Sequence, residues 1–213
     1  MKPMTLTFAS LLCLSCSSIT VAQTNHAHTE IPAAQTATAE QTADRGIATL
    51  DAQREKRAMQ IFLKSVQTQI VSAAEAMPAT KYGFVPTDGE FKDVRTFGAQ
   101  VRHLAATNHI LAAAALGEDP PSDAGDEQGP ETVRTKAEIL EYLNSSFVHL
   151  GKAIDAIGEK NMAVKHSPIS PLPAPATTRL ALTVESLIHA FDHYGQMVEY
   201  LRMNGIVPPA SRP

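Results

Sequence analysis

The chain of 213 residues carries 18 lysines and arginines against 22 aspartates and glutamates, a formal net charge of −4. A mildly acidic chain without a basic run argues against nucleic acid as a partner. Its two cysteines, Cys13 and Cys16, both lie in the first 22 residues, so the rest of the chain can form no disulfide and offers no cysteine ligand for zinc.

The first 22 residues have the pattern of a secretory signal peptide. Lys2 supplies a positive start, residues 4–21 form an apolar run, and 20-TVA-22 is the small-x-small pattern that precedes cleavage. The run is short for a membrane span, so no span is expected after cleavage. The alternative is a lipid anchor at Cys16. We therefore expect an exported protein, periplasmic or extracellular.

Residues 23–44 are rich in Ala, Thr and Gln and hold few apolar side chains. This composition predicts a disordered tether ahead of a single folded domain over residues 45–211. His26 and His28 lie in the tether, where a pair of histidines can capture a stray metal ion. A solvated linker is the favoured interpretation of this pair.

Four long segments with apolar residues at helical spacing follow, and no segment alternates with a period of two. Helices are expected over residues 45–77, 94–116, 135–157 and 179–204. The acidic segment 119–130, rich in Pro and Gly, is predicted to be an exposed loop. This order of elements predicts an all-α four-helix bundle.

Two helix ends have recognisable signals. Thr135 followed by Glu138 is the pattern of a capping box at the start of the third helix. Gly205 stands where a left-handed residue ends the fourth helix, with Ile206 after it to pack back.

The histidines of the second and fourth helices fall beside their apolar seams. The predicted core seam of the fourth helix consists of Leu180, Val184, Leu187, Phe191, Tyr194, Val198 and Leu201. At about 100° per residue, His189 and His193 lie on the far side, in a mixed stripe with Gln196 and Tyr200. On the second helix, His103 lies opposite a seam that begins at Val94, among small residues that would let another helix approach.

If those two faces meet, three imidazoles converge at the flank of the bundle. Residues i and i+4 of a helix hold their Cβ atoms about 5–6 Å apart, which suits two imidazoles on one metal ion. Three neutral nitrogen ligands leave a position for water or substrate, as in catalytic sites. Glu185 is an alternative ligand, although a solvated acid is favoured there. His109, His149 and His166 are expected to be structural or surface residues.

Three stretches taken together resemble the DinB-like superfamily: 73-AAEAMPATKYGFVPTDGEFKDVRTFGAQVRHLA-105, 135-TKAEILEYLNSSF-147 and 189-HAFDHYGQMVEYLRMNGIVPPAS-211. The resemblance covers residues 45–211. It implies a four-helix bundle with up-down-down-up connectivity. It also implies a divalent metal bound by three histidines, which match His103, His189 and His193 in this sequence.

Activity follows less directly from the resemblance. Characterised relatives include thiol transferases, and others are linked to metal-dependent isomerisation or hydrolysis. Because cytoplasmic thiol cofactors are scarce outside the cytoplasm, the signal peptide disfavours the transferase interpretation. Imidazole ligands suit zinc or nickel, and iron and manganese remain open.

We therefore expect a metal-dependent enzyme of the hydrolase or thiol-transferase type, acting on a small molecule. Gln196 would orient substrate or a water behind the ligands, and Tyr200 would line the approach. The alternatives are a non-catalytic ligand- or partner-binding module with a structural metal, and a bundle whose histidines are only structural. Bundles of this kind often pair through a helix face, so a homodimer is compatible with the sequence.

Overall fold

A computed structural model describes residues 39–124, 127–158 and 164–213. The predicted signal peptide, most of the predicted tether, and His26 and His28 lie outside the described residues. The elements include four α-helices and, within the described ranges, no strand. In the same ranges, no helix combines the length and the apolar character needed to cross a membrane. The helices are α1 (Ala39–Ala76), α2 (Phe97–Leu116), α3 (Lys136–Asp155) and α4 (Arg179–Met203).

Contacts between helix ends show that α1 and α3 run in opposite directions, whereas α2 and α3 run in the same direction. Lys136, the first residue of α3, donates a hydrogen bond to the carbonyl of Met77, just beyond the end of α1. Arg102, early in α2, bonds the carbonyl of Val133, just before α3.

The fourth helix runs opposite to α2, which completes an up-down-down-up bundle. Arg179, the first residue of α4, donates to the carbonyl of Ala115 near the end of α2. Gln100, early in α2, donates to the carbonyl of His193, late in α4. Around the bundle, α1 and α2 each pack against α3 and α4, so α1 and α2 are diagonal to each other.

The helix ends confirm two sequence signals and correct the predicted start of the second helix. The capping box of Thr135 and Glu138 is present. Gly205 has a φ of 72°, and the amide of Ile206 donates to the carbonyl of Leu201, as in a Schellman motif. The second helix begins at Phe97 instead of residue 94, because the Thr96 hydroxyl accepts from the amide of Ala99 and caps it there.

Three predicted seam residues do not lie in the core. Val94 precedes the Thr96 cap and is 38% exposed, and Phe191 of α4 is 43% exposed. Val184 is likewise exposed, and together with Phe62 and Ile188 it lines an apolar groove between α1 and α4. The buried face of α4 instead combines part of the mixed stripe, including His193 and Tyr200, with Leu187 and Leu201 of the predicted seam. Its buried residues are Leu182, Thr183, Ser186, Leu187, Ala190, His193, Met197, Tyr200 and Leu201.

A buried hydrogen-bond network makes this orientation of α4 favourable. The hydroxyl of Ser186 donates to the side-chain oxygen of Asn108 at 2.8 Å. The amide nitrogen of Asn108 donates in turn to Ser146 of α3 at 3.2 Å. Because these polar atoms have hydrogen-bond partners, their burial does not carry the free-energy cost of unpaired polar groups. The face of α4 that carries the histidines can therefore pack against α2.

The first helix also differs from the prediction. It begins at Ala39, within the segment predicted to be tether, and ends at Ala76. Ala, Glu and Gln are good helix formers. The side chains of residues 41–48 are exposed, so the polar composition that indicates a tether also suits a helical segment surrounded by water.

Candidate metal site

The structure brings His103 of α2 together with His189 and His193 of α4. The Nε2 atom of His189 lies 3.2 Å from Nε2 of His103 and 3.0 Å from Nε2 of His193. Nitrogen ligands bound about 2.0–2.1 Å from one ion would be roughly 2.8–3.4 Å apart for angles between 90° and 109°. Both separations fit a shared metal ion.

Small side chains and one cross-helix hydrogen bond bring the two helices close at this point. Ala106 of α2 and Ala190 of α4 are fully buried. Gln100, one turn before His103, donates to the carbonyl of His193 at 3.1 Å. His103 and His193 are buried, whereas His189 retains some contact with solvent. The cluster therefore lies between α2 and α4, with an accessible side.

A backbone contact fixes the tautomer of His103. Its Nδ1 lies 2.7 Å from the carbonyl oxygen of Glu127. A carbonyl only accepts hydrogen bonds, so Nδ1 carries the proton and the Nε2 of a neutral imidazole presents its lone pair to the other two histidines. This support behind the ligand orients the ring and raises its basicity. Among the described residues, no protein group accepts from Nδ1 of His189 or His193.

The loop that supplies this carbonyl is more closely packed than the sequence indicates. Residues 119–130 are predicted to be exposed, but Ala124, Gly129 and Pro130 are buried; residues 125 and 126 lie outside the described ranges. Gly129 has a φ of 71°, and a Cβ there would lie 2.8 Å from Cγ of Arg102. Arg102 also donates to the carbonyl of Gln128 at 2.8 Å. Glycine at residue 129 therefore lets the loop pack against α2.

The environment keeps the three imidazoles neutral. Burial is the main cause that lowers the pKa of His189 to about 3 and that of His193 to about 4. Burial also lowers the pKa of His103, although its bond to Glu127 opposes the shift. The positive charge of Arg95 contributes to the lowering in all three. Neutral imidazoles are the form that binds metal ions, so no proton has to leave at neutral pH.

The predicted substrate-facing residues lie beside the cluster. Gln196 and Tyr200 line a cavity of about 360 Å³ that His193 also borders. Glu185, the alternative ligand, instead accepts a hydrogen bond from Ser170 at 2.6 Å and is not part of the cluster.

The sequence did not identify the other cavity residues, which include Arg95, Gln100 and Gln128. The position of Gln100, three residues before His103 on the same helix, is a signal that could have identified it. Arg95 precedes the helix and Gln128 lies in a loop, so neither has a periodic signal.

A second histidine pair lies between α2 and α3. Nδ1 of His109 is 3.0 Å from Nδ1 of His149, and Nε2 of His109 is 3.1 Å from the hydroxyl of Ser145. The other nitrogen of His149 lies 3.4 Å from the carboxylate of Glu118. These contacts form a chain and do not converge on one point, so the pair offers hydrogen bonds between helices. Burial, followed by the charge of His149, lowers the pKa of His109 to about 4.

Acid is expected to destabilise the metal-free protein partly through His109. Its pKa is about 4 in the folded state and about 6.5 in an unfolded chain. Between these values the unfolded state binds the extra proton, so the free energy of unfolding falls as the pH falls from 6.5 to 4. The His109→Gln variant should lose about 2 kcal/mol less stability than the wild type over this range, in urea unfolding with a chelator present. His166→Gln, at an exposed histidine, should behave like the wild type; a wild-type slope in His109→Gln would contradict the assignment.

The comparison with known families agrees with this arrangement. Residues 63–197, more than half of the chain, match the family model described as the DinB superfamily. The matched segment begins within α1, ends within α4 and includes all three clustered histidines. No protein with a curated description matches the chain.

Proposed function

The chain belongs to the DinB superfamily, and we propose that it is an exported metal-dependent enzyme that acts on a small molecule. The observation that carries the proposal is the convergence of Nε2 atoms from α2 and α4 beside a polar cavity. The spacing of these nitrogens and the tautomer of His103 fit a divalent ion, and zinc or nickel suits three imidazoles best. Such an ion would lower the pKa of a coordinated water or thiol towards neutrality, which supplies the nucleophile of a hydrolase or a thiol transferase.

The residues of the chain would bind and orient the reactants. His103, held by the carbonyl of Glu127, keeps its ligand nitrogen aimed at the other two histidines. Three protein ligands leave a coordination position for a reactant. Gln196 and Tyr200 line the cavity that leads to this position. Burial raises the pKa of Tyr200, so its hydroxyl stays protonated. Its proton is donated to the carbonyl of Arg95, which leaves the oxygen to accept a hydrogen bond from a reactant.

An activity screen with defined metal content tests the proposal. The protein is stripped with a chelator, reloaded with zinc or nickel, and assayed with activated esters and amides for hydrolysis and with thiols plus an electrophile for transfer. We expect turnover that disappears on stripping and returns on reloading. Stoichiometric metal without turnover in any reloaded form would contradict the enzyme proposal and favour the non-catalytic binding module.

The same proposal includes export, for which the support is the pattern of residues 1–22. Expression of the full chain with its own leader in a bacterial host should give a protein outside the cytoplasm whose N-terminus is Gln23. Recovery of the intact chain from the cytoplasm would contradict export. A lipid attached at Cys16 would favour the anchored alternative.

A further inference from the structure

The cavity beside the three-histidine cluster has a polar lining and room for a small organic molecule. Its volume is about 360 Å³, which is within the range of small-molecule sites. The side chains around it can donate and accept hydrogen bonds, and one of them is a cation. They include Arg95, Gln100, Gln128, His193, Gln196 and Tyr200.

The cation, Arg95, has no anionic partner among the residues that the structure describes. No carboxylate there lies within ion-pair distance of its guanidinium. Its Nε atom is buried and makes no hydrogen bond. A buried N–H donor without an acceptor is destabilising, and an incoming oxyanion would accept from it. The planar guanidinium matches the geometry of a carboxylate or a phosphate.

The backbone of Arg95 is held in place. Its carbonyl accepts a hydrogen bond from the hydroxyl of Tyr200 at 3.1 Å, and the next residue, Thr96, caps α2. Asp93, which also lines the cavity, is exposed and has a φ of 63°. Its carboxylate does not form an ion pair with Arg95. The backbone of Arg95 is therefore held beside the cavity, and its guanidinium makes no ion pair with the described carboxylates.

The positive charge of Arg95 acts on the three clustered histidines, because it contributes to the lowered pKa of each. An anion bound to Arg95 would lie in the cavity that His193 borders, beside the candidate metal position. We propose that Arg95 is the oxyanion-binding residue of this cavity and that the ligand is a small organic acid or phosphate ester. That the ligand is a substrate rests on the proposed function. That Arg95 binds an anion does not depend on the proposed function.

Nuclear magnetic resonance of the ¹⁵N-labelled protein tests this inference. The Nε–H signal of Arg95 is identified by its absence from the Arg95→Lys variant. Acetate and inorganic phosphate are then added separately at constant ionic strength. We expect a saturable shift of this signal with at least one of the two anions, and the anion with the tighter binding identifies the preferred group. Arg95→Gln should bind that anion at least tenfold more weakly, by calorimetry. Arg202→Gln, at an exposed arginine of α4, removes the same charge and should bind as the wild type does.

The metal-binding proposal and this inference can fail separately. In His189→Ala, which should hold no metal, the Arg95 signal should still shift on addition of the anion. A wild-type protein with stoichiometric metal whose Arg95 signal does not shift with either anion would overturn the inference and leave the metal site intact. Equal affinity in Arg95→Gln and wild type, with melting temperatures that show both to be folded, would also overturn it.

Discussion

Replacement of His189 by alanine is expected to weaken metal binding by at least about 100-fold. Its Nε2 is the atom that approaches both of the other ligand nitrogens, at 3.2 and 3.0 Å, so its loss leaves only two imidazole ligands. A competition titration with a chromophoric chelator measures the affinity for zinc. At 100 times the dissociation constant, a bound ion stabilises the folded state by about 2.7 kcal/mol, and the variant should lose this stabilisation as well.

The control for this variant is His149→Ala, which removes a histidine of the second pair on the other side of α2. It should bind zinc as the wild type does, because its nitrogens face His109 and Glu118 and not the cluster. Wild-type affinity in His189→Ala would contradict the assignment of ligands. Equal losses in both variants would show that the effect comes from the bundle as a whole.

Replacement of Phe147 by alanine is expected to lower the free energy of unfolding by about 3–5 kcal/mol. The ring is 1% exposed and belongs to the main cluster of the core, where α3 faces the other helices. Its removal leaves a cavity that the surrounding side chains fill only in part. Unfolding in guanidinium chloride, followed by circular dichroism, measures the change.

The neighbouring residue provides a matched control. Val148 is 60% exposed on the same helix, so Val148→Ala should change the free energy of unfolding by no more than about 0.5 kcal/mol. A loss below about 1 kcal/mol in Phe147→Ala would contradict the position of its ring in the core. Metal stoichiometry should stay unchanged in Phe147→Ala at temperatures where the variant is folded, because the ring is not part of the histidine cluster.

The sequence predicted the four helices because long stretches repeat apolar residues at helical spacing, and it predicted two of their ends from local capping chemistry. Periodicity alone placed only part of the core face of α4 correctly, since Leu187 and Leu201 are buried. It favoured Val184 and Phe191, which are exposed, over Ser186 and His193, which are buried. The polar side chain of Ser186 is buried because Asn108 on another helix satisfies it, and a pattern within one helix contains no information about that partner.

In the candidate site, too, features within one helix were predictable and contacts between distant segments were not. The i, i+4 spacing of His189 and His193 can be read from the sequence, and the family motif indicated His103 as their partner. The carbonyl of Glu127 that orients His103 could not be predicted, because any residue has a carbonyl and only the path of the loop brings this one to Nδ1. Arg95 was missed for a related reason: it lies just outside α2, where helical periodicity does not apply.

X-ray absorption spectroscopy of the metal-loaded protein tests the central proposal most directly, since it counts the imidazole ligands of the bound ion. For zinc, we predict three imidazole nitrogens at about 2.0–2.1 Å and at least one further light atom that does not come from histidine. His103→Ala should reduce the imidazole count or abolish binding. A wild-type spectrum with fewer than three imidazoles, or one that is unchanged in His103→Ala, would contradict the three-histidine site.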